Sequence, residues 1–299
     1  SEPLNKTLHY HMDLVIDSLQ SRSYNKIVKE KLISIVDKFK SKKILVIGDI
    51  MLDEYHWCDV SRISPEAPVP VCSVNKTTLV PGGAGNVALN IETLGAKVLL
   101  AGTIGNDSSG DKLITILNKH NINTEGLIRD DEKPTILKSR IIAHQQQMVR
   151  VDRENNDDIT QNTRNKLFKF IESQLTTLDA ILISDYAKGT LPETFIQRII
   201  SLANTKNKIV VIDPKGDNYT KYKGAFTLTP NFKEFTTVIK KSLSSEKDIA
   251  DEAVKLVKRL NLNALLITRS EKGMSIISRD LEKIDIPTQA KEVYDITGA

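Results

Sequence analysis

The stretch KILVIGD, residues 43–49, decides the fold of this chain. Its four consecutive apolar residues end in Gly48 and Asp49, a pattern typical of a strand that is buried on both faces of a sheet. Runs of the same kind recur as KVLLAGTIG (97–105), AILISDY (180–186), KIVVIDPK (208–215) and ALLITRS (264–270). Helical patterns lie near 84–94, 108–120, 160–177, 192–205, 232–240 and 247–260. This alternation predicts an α/β fold with a doubly wound, mostly parallel sheet.

Two segments interrupt the alternation and divide the chain. Residues 50–76 are rich in Pro and β-branched residues, and residues 133–153 alternate apolar with polar positions. The first composition disfavours a helix, and the second pattern is typical of half-exposed antiparallel strands. We expect both segments to form a small β-sheet over one end of the body, as a lid, a dimer surface, or both. Residues 1–40 carry an amphipathic helical pattern, so we expect a helical N-terminal extension followed by a main domain over 41–299.

The composition is that of a globular chain. It has 299 residues, 40% hydrophobic and 27% charged, with a formal net charge of +4. No apolar stretch approaches the roughly 20 residues that a membrane span needs, and the first residues lack a signal-peptide pattern. Cys58 and Cys72 form no CxxC pair and indicate free thiols. We expect a cytoplasmic protein that binds neither membrane nor nucleic acid, and whose mild positive charge suits an anionic substrate.

Polar side chains follow the predicted buried strands. Asp49, Asp185 and Asp213 each stand at the end of an apolar run, and Thr268 ends another. Ligands of open α/β sheets bind at the carboxyl ends of the strands, so these side chains are expected to converge on one crevice. A single aspartate there often only caps the next helix. Three of them favour a polar ligand that is rich in hydroxyl groups.

A glycine-rich loop, PGGAGNVALN (81–90), precedes a helical pattern. Gly82 and Gly83 allow a ligand to approach the backbone closely, and Asn86 offers a donor and an acceptor to hydroxyl groups. The alternative is a dinucleotide fingerprint on Gly83, Gly85 and Ala88. That fingerprint requires a buried strand immediately before it, whereas NKTTLVP precedes it here.

Three further loops have a structural and a functional interpretation. GNDSSGDK (105–112) nearly matches a phosphate-binding P-loop, but Asp111 replaces the required Lys, so a helix capped by Asp107, Ser108 or Ser109 is expected. LTPNFKE precedes a helix, and TRSEKGM follows a strand. Local structure alone could explain the candidate residues of both loops, which are Asn231 and Glu234 in the first and Thr268, Lys272 and Gly273 in the second.

Together these segments resemble the ribokinase-like sugar kinases from about residue 42 to the end. GGAGNVALNIETLGAKVLLAGTIGNDSSG is similar to the N-terminal signature of that family, and YDITGA is similar to the start of its C-terminal signature. GDIMLDEYHWCDVSRISPEAPVPV, KSRIIAHQQQMVRVDRE and SDYAKGTL resemble one subgroup, the D-glycero-D-manno-heptose 7-phosphate kinases of lipopolysaccharide precursor synthesis. In that subgroup the kinase stands alone or is fused to a nucleotidyltransferase.

The resemblance implies ATP-dependent phosphorylation of the anomeric hydroxyl of the heptose 7-phosphate, giving the 1,7-bisphosphate. It implies ATP, Mg²⁺ and a monovalent cation as cofactors, and a homodimer formed through the lid. The implied substrate-binding residues are Asp49, Gly82, Gly83, Asn86 and Asp185, with Arg140, Arg150 and Lys188 as candidates for the distal phosphate. The implied nucleotide-binding residues are Asp213, Lys215, Asn231, Glu234, Thr268, Arg269 and Gly273, with Glu234 near the metal ion.

The last residues, Thr297, Gly298 and Ala299, correspond to part of the anion hole that the family uses for the transferring phosphoryl group. The family places the proton-accepting aspartate two residues further on. We therefore expect the chain, taken as written, to be a fragment with very weak activity or none. Removing a general base typically costs about 10²–10⁴-fold in rate.

Other functions remain open at this point. A second sugar kinase of the same family would act on ribose, a nucleoside or fructose 6-phosphate. A dinucleotide oxidoreductase would use Gly83 and Gly85, and a non-catalytic module would bind a sugar phosphate or form a dimer without turnover.

Overall fold

The computed structural model describes residues 22–243, 245–280 and 283–288. In chain order the strands are β1 (Lys43–Ile63), β2 (Pro70–Gly83), β3 (Lys97–Gly105), β4 (Asn123–Asp130), β5 (Ile136–Ala143), β6 (Gln146–Arg153), β7 (Ala180–Ser184), β8 (Ile209–Asp213), β9 (Thr227–Leu228), β10 (Ala264–Thr268), β11 (Met274–Ser278) and β12 (Lys283–Ile286). The helices are α1 (Arg22–Asp37), α2 (Ala84–Thr93), α3 (Ser108–Lys119), α4 (Gln161–Gln174), α5 (Glu193–Thr205), α6 (Phe232–Ile239) and α7 (Glu246–Leu260).

The core sheet has the strand order β12-β11-β10-β9-β8-β7-β1-β3-β4. Every neighbouring pair from β10 to β4 is parallel, whereas β11 pairs antiparallel with both β10 and β12. Helices cover both faces of the sheet. The prediction of a doubly wound, mostly parallel sheet is therefore confirmed, although β4, β9, β11 and β12 were not among the predicted strands.

The apolar run that opens β1 is buried on both faces of the sheet. Leu45 and Ile47 are fully buried in one cluster with residues of α4, α5 and α7. Val46 is fully buried in a second cluster with residues of α2 and α3. Because successive strand residues point to opposite faces, a strand between two helical layers must be apolar at every position. The continuous apolar run at the start of β1 has this physical cause.

The strand β1 is much longer than the predicted seven residues, because it runs for 21 residues from the core sheet into the lid. Its first part pairs in parallel with β3 and β7 as far as Asp49. From Ile50 onward it pairs with β2 and β5 instead. The sequence predicted a separate β insertion beginning at residue 50, and the structure corrects this to one continuous strand.

The lid is a four-stranded sheet with the order β2-β1-β5-β6. The pair β5–β6 is antiparallel, as the alternation over residues 133–153 predicted, but β5 runs parallel to β1. The loop 105–112 begins α3, where the Asp107 side chain accepts a hydrogen bond from the Gly110 N–H at 2.9 Å. This bond confirms the predicted cap.

The helix α1 lies within the predicted N-terminal extension, of which residues 1–21 fall outside the described part of the chain. A search of the described residues finds no helix that combines the length and apolar character of a membrane span.

Candidate functional site

Two pockets open at the carboxyl edge of the core sheet, where the lid meets it. The first, which we name the lid pocket, is a cavity of about 610 Å³ between the lid and the start of α2. Its polar wall contains Asp53, Gly82, Asn86, Lys138, Arg140 and Arg150. The second, the sheet-edge pocket, is a cavity of about 920 Å³ above the ends of β7, β8 and β10. Its polar wall contains Asp185, Asp213, Lys215, Asn231, Glu234 and Thr268.

The lid pocket collects most of the predicted substrate-binding residues. Gly82, Gly83 and Asn86 lie where β2 passes into α2, and Arg140 and Arg150 face each other across β5 and β6. Of the predicted substrate-binding residues, most line the lid pocket, Asp185 lines the sheet-edge pocket, and Asp49 and Lys188 line neither pocket in the described part of the chain.

Close packing against β1 requires glycine at positions 82 and 83, independently of any ligand. Gly83 has a φ of +55°, and a Cβ added there would collide with the main-chain carbonyl of Asp49. A Cβ on Gly82 would collide with the Asp53 carboxylate. Only glycine has the freedom to adopt such a conformation and to let the end of β2 approach β1 so closely.

The preceding strand bears on the dinucleotide alternative. A strand, β2, does run directly into the Gly83 turn, which the sequence did not predict. It belongs to the lid and pairs antiparallel with β1, so it is not the parallel core strand of a dinucleotide-binding βαβ unit. The described structure therefore gives this alternative no support.

Two lid-pocket residues, Asp53 and Lys138, were missed by the sequence analysis. Asp53 accepts an ion pair from Arg140 at 2.5 Å, and the Arg140 guanidinium lies 5.1 Å from the centre of the Tyr55 ring. A signal for Asp53 was present, because strand residues two apart share a face and Met51, Asp53 and Tyr55 all line the pocket.

The cations of the lid form a network with two acidic residues. Lys138 pairs with Asp152 at 3.0 Å and with Glu154 at 3.2 Å, and Lys188 pairs with Glu154 at 2.5 Å. Burial works to raise the pKa of Glu154, but the bonds from Lys188 and Lys138 outweigh it and lower that pKa. The side chain of Arg150 remains 49% exposed and bonds to Asp152 at 2.9 Å. Among the pocket's cations it is the best exposed to an incoming anion.

The sheet-edge pocket combines carboxylates with one lysine. Asn231 and Glu234 form a reciprocal capping box at the start of α6, with bonds of 2.9 and 3.1 Å. Glu234 also accepts an ion pair from Lys215 at 2.9 Å. These contacts give Asn231 and Glu234 a structural role, and Lys215 stays exposed to the pocket. The described residues contain no group of three or more His, Cys, Asp or Glu side chains arranged to hold a metal ion.

Asp213 is the most perturbed carboxyl group of this pocket. Burial, and secondly the negative charge of Glu234, raise the pKa of Asp213 to about 6, and Lys215 opposes the shift. Asp185 is buried and accepts bonds of 2.7 Å from Lys221 and from the Tyr222 hydroxyl. The pocket thus holds partly uncompensated negative charge, which a bound cation would stabilise.

Arg269 lines neither of these two pockets. Arg269 lines a neighbouring cavity of about 810 Å³, which shares Asn231 and Thr268 with the sheet-edge pocket. Its guanidinium is held by Glu246 at 2.5 Å. Gly273 lines the sheet-edge pocket. Thr297, Gly298 and Ala299, the predicted anion hole, lie outside the described residues.

The raised pKa of Asp213 predicts a pH-dependent stability. The folded protein keeps the Asp213 proton to higher pH than the unfolded chain, so this group lowers the free energy of unfolding as the pH rises from about 4 to 6. Replacing it by Asn should raise that free energy by about 1–3 kcal/mol at pH 7.5 and by much less near pH 4. Urea unfolding at both pH values measures the difference.

Asp217, which is exposed, provides the control for this prediction. Asp217→Asn should change the free energy of unfolding equally little at both pH values. If Asp213→Asn had the same effect at pH 4 as at pH 7.5, the assignment of the shifted carboxyl would be wrong.

Comparison with known proteins identifies the relatives of this fold and site. The bifunctional protein HldE of Geobacter metallireducens is 43% identical over 255 residues, which cover 85% of this chain and 52% of that protein. The bifunctional protein HldE of Syntrophotalea carbinolica is 44% identical over 264 residues, covering 88% and 54%. The chain thus spans about half the length of these curated relatives.

Solved structures share the fold at low sequence identity. Phosphofructokinase-2 of Escherichia coli, in complex with fructose-6-phosphate, matches with a TM-score of 0.66 at 17% identity, covering 84% of this chain and 81% of that one. Ribokinase of Arabidopsis thaliana, complexed with ribose and ATP, matches with a TM-score of 0.65 at 14% identity, covering 86% and 81%. The model of the pfkB family carbohydrate kinases matches residues 41–299, and the chain belongs to this family.

Proposed function

We propose that this chain is the kinase part of a D-glycero-D-manno-heptose 7-phosphate kinase, which transfers the γ-phosphoryl group of ATP to the anomeric hydroxyl. The observation that carries the proposal is the lid pocket, which combines hydroxyl-binding groups with cations suited to a second, anionic end of the substrate. The identity of 40–44% to proteins named HldE and the heptose-kinase resemblance of the lid sequences support it.

The sugar ring would bind at the end of the lid pocket near α2. Asp53 offers carboxylate oxygens to sugar hydroxyl groups, and Asn86 offers both a donor and an acceptor. Asp53 is already held by Arg140, so its orientation is fixed before a sugar arrives. Preorganised polar groups of this kind reduce the ordering cost of binding.

The distal phosphate would bind the lid cations. Arg150 is the principal candidate because its planar guanidinium is half exposed and can contact two phosphate oxygens at once. Arg140, whose side chain is 13% exposed, is already engaged by Asp53 and Tyr55 and would serve as a second, less mobile contact. Lys188, predicted for the same role, is paired with Glu154 and is the weaker candidate.

The sheet-edge pocket would take the phosphates of ATP. Lys215 supplies positive charge to the pocket. The start of α6 adds backbone N–H groups and the positive end of the helix dipole, both of which favour anions. Mg²⁺ prefers oxygen ligands. Burial, and secondly repulsion from Glu234, raise the pKa of Asp213, so the carboxylates of Asp213 and Glu234 would be stabilised by a bound Mg²⁺. Mg²⁺ would supply neutralisation of phosphate charge. The lid strands would exclude water from the two pockets and so limit hydrolysis of ATP.

A calorimetric titration with D-glycero-D-manno-heptose 7-phosphate tests the proposal, with fructose 6-phosphate and ribose as comparison ligands. We expect the heptose phosphate to bind at least tenfold more tightly than either comparison ligand. Tighter binding of fructose 6-phosphate or ribose would assign the chain to another sugar kinase of the family. Absence of binding by all three would contradict the proposal.

Replacement of Arg150 tests the phosphate contact within that titration. A hydrogen bond to a charged group contributes about 1.5–3 kcal/mol, so Arg150→Gln should weaken heptose 7-phosphate binding about 10- to 150-fold. Arg153 provides the control. It lies on the same strand, paired with Leu137, and faces the side of the lid away from the pocket. Arg153→Gln should change the affinity less than twofold, and an equal loss in both variants would argue against a specific contact.

We further propose that the lid pairs with a second copy of the chain. Val149 and Val151 lie on the face of the lid that points away from the pocket, and they are 50% and 58% exposed. Adjacent exposed valines on a sheet face favour burial against another surface.

Sedimentation velocity tests the pairing of the lids. The wild-type chain should sediment as a dimer, and Val151→Glu should shift it towards the monomer because a charge would be buried at the interface. Ile209→Glu, at an exposed apolar position outside the lid, should leave the dimer intact. A monomeric wild-type chain at micromolar concentration would contradict the proposal.

A further inference from the structure

Tyr186 lines both the lid pocket and the sheet-edge pocket, and no other described residue lines both. The residue is 37% exposed, so it is only partly buried. Burial raises the pKa of its phenol, and the negative charges of Asp213, Asp53, Glu234 and Asp49 add to that shift, so carboxylates of both cavities contribute to it. The ring therefore stands at the boundary between the two cavities.

The backbone of Tyr186 is held by the carboxylate of Asp49. Asp49 is fully buried in β1, and one of its oxygens accepts the N–H of Tyr186 at 2.8 Å and that of Lys188 at 3.1 Å. The other oxygen accepts the N–H of Thr190 at 3.2 Å. Three alternate N–H groups of one loop thus point at one carboxylate. Asp49 acts on the loop, and it does not contact either pocket.

Further contacts hold this loop in an uncommon conformation. Ala187 has a φ of +55°, and its N–H donates to Asp185 at 2.7 Å. Gly189 has a φ of +87°, and a Cβ there would collide with the carbonyl of Asp157. Lys133 donates to the carbonyl oxygens of Asp157 and Lys188. A non-glycine residue at positive φ costs free energy that the surrounding bonds must offset. The backbone position of Tyr186 is therefore imposed by its surroundings, whereas none of these bonds involves its ring.

We propose that Tyr186 couples the two pockets, so that a phosphosugar in the lid pocket and a nucleotide in the sheet-edge pocket strengthen each other's binding through its ring. Asp49 is the positioning residue that keeps the ring at the boundary. This inference rests on the proposed function, because it assigns the two pockets to the two substrates.

The physical cause of the coupling is the ordering of one shared side chain. The first ligand to bind immobilises the partly exposed Tyr186 ring and loses the conformational entropy of that side chain. The second ligand then binds without this entropy cost. Immobilising one side chain costs enough to change an affinity by about threefold to tenfold. Burial and the nearby carboxylates raise the pKa of Tyr186, so its hydroxyl keeps its proton and can donate to a phosphate oxygen.

Paired calorimetric titrations test the coupling. The affinity of heptose 7-phosphate is measured without and with a saturating non-hydrolysable ATP analogue and Mg²⁺, and fructose 6-phosphate serves as a second phosphosugar. In the wild-type chain, the analogue should raise the affinity for heptose 7-phosphate threefold to tenfold. In the reverse titration the sugar phosphate should raise the affinity for the analogue by the same factor, because thermodynamic coupling is reciprocal. Tyr186→Ala should reduce the factor to below about 1.5.

Two other variants show whether the effect is specific to Tyr186. Tyr55→Ala removes an aromatic ring that lines only the lid pocket, so it should weaken sugar binding but keep the coupling factor. Asp49→Asn should lose the coupling although Asp49 touches neither ligand. The informative readout is the coupling factor, which is the ratio of one ligand's affinity with the other ligand bound to its affinity alone. A merely structural defect would lower both of these affinities and leave their ratio unchanged.

The outcomes separate this inference from the proposed function. If fructose 6-phosphate binds with coupling and the heptose phosphate does not bind, the heptose assignment fails and the role of Tyr186 stands. If Tyr186→Ala keeps the wild-type coupling factor, or if Tyr55→Ala loses it equally, the role of Tyr186 is overturned. A wild-type chain that binds neither phosphosugar nor nucleotide would overturn both.

Discussion

The buried carboxylate of Asp49 is the constraint on which the arrangement of the two pockets depends. It is the last residue of β1 that pairs with the core sheet, opposite Thr103 of β3, and the next residue, Ile50, pairs with Gly83 of β2. Its three bonds to backbone N–H groups fix the loop that follows β7. Asp49 is fully buried, and this burial raises its pKa in spite of those bonds. The Asp49 side chain thus connects the strand that enters the lid with the loop that carries Tyr186.

The proposed assignment of the two substrates to the two pockets rests on this geometry. The core sheet presents the ends of its parallel strands to one cavity, and the continuation of β1 presents alternate residues to the other. In a kinase the acceptor hydroxyl must come close to the phosphoryl donor, and positioning of the two reactants is the main part of phosphoryl-transfer catalysis. The strand β1 passes from the core sheet into the lid, and Tyr186, which follows β7, lines both pockets. This arrangement is suited to hold two such ligands side by side.

The sequence predicted the core far better than the pocket boundary. The run Ile44–Ile47 identified a buried strand because its two-sided burial leaves a continuous apolar pattern. The short strand β9 has only two residues, too few for any period to be recognised. Asp53 was missed because β1 extends beyond the core sheet only through pairing with β2 and β5, and β5 is distant in sequence. The exposure of Tyr186 depends on a backbone conformation at Ala187 that tertiary bonds impose, and local propensity does not predict it.

Hydrogen exchange of the backbone amides of Tyr186, Lys188 and Thr190 tests the central claim most directly, with the amides of β3 as an internal reference. If the Asp49 carboxylate holds the loop, these three amides should exchange slowly in the wild-type chain. In Asp49→Asn they should exchange at least about tenfold faster relative to β3, since one lost hydrogen bond to a charged group is worth about 1.5–3 kcal/mol. Unchanged protection of these amides relative to β3 would contradict the account.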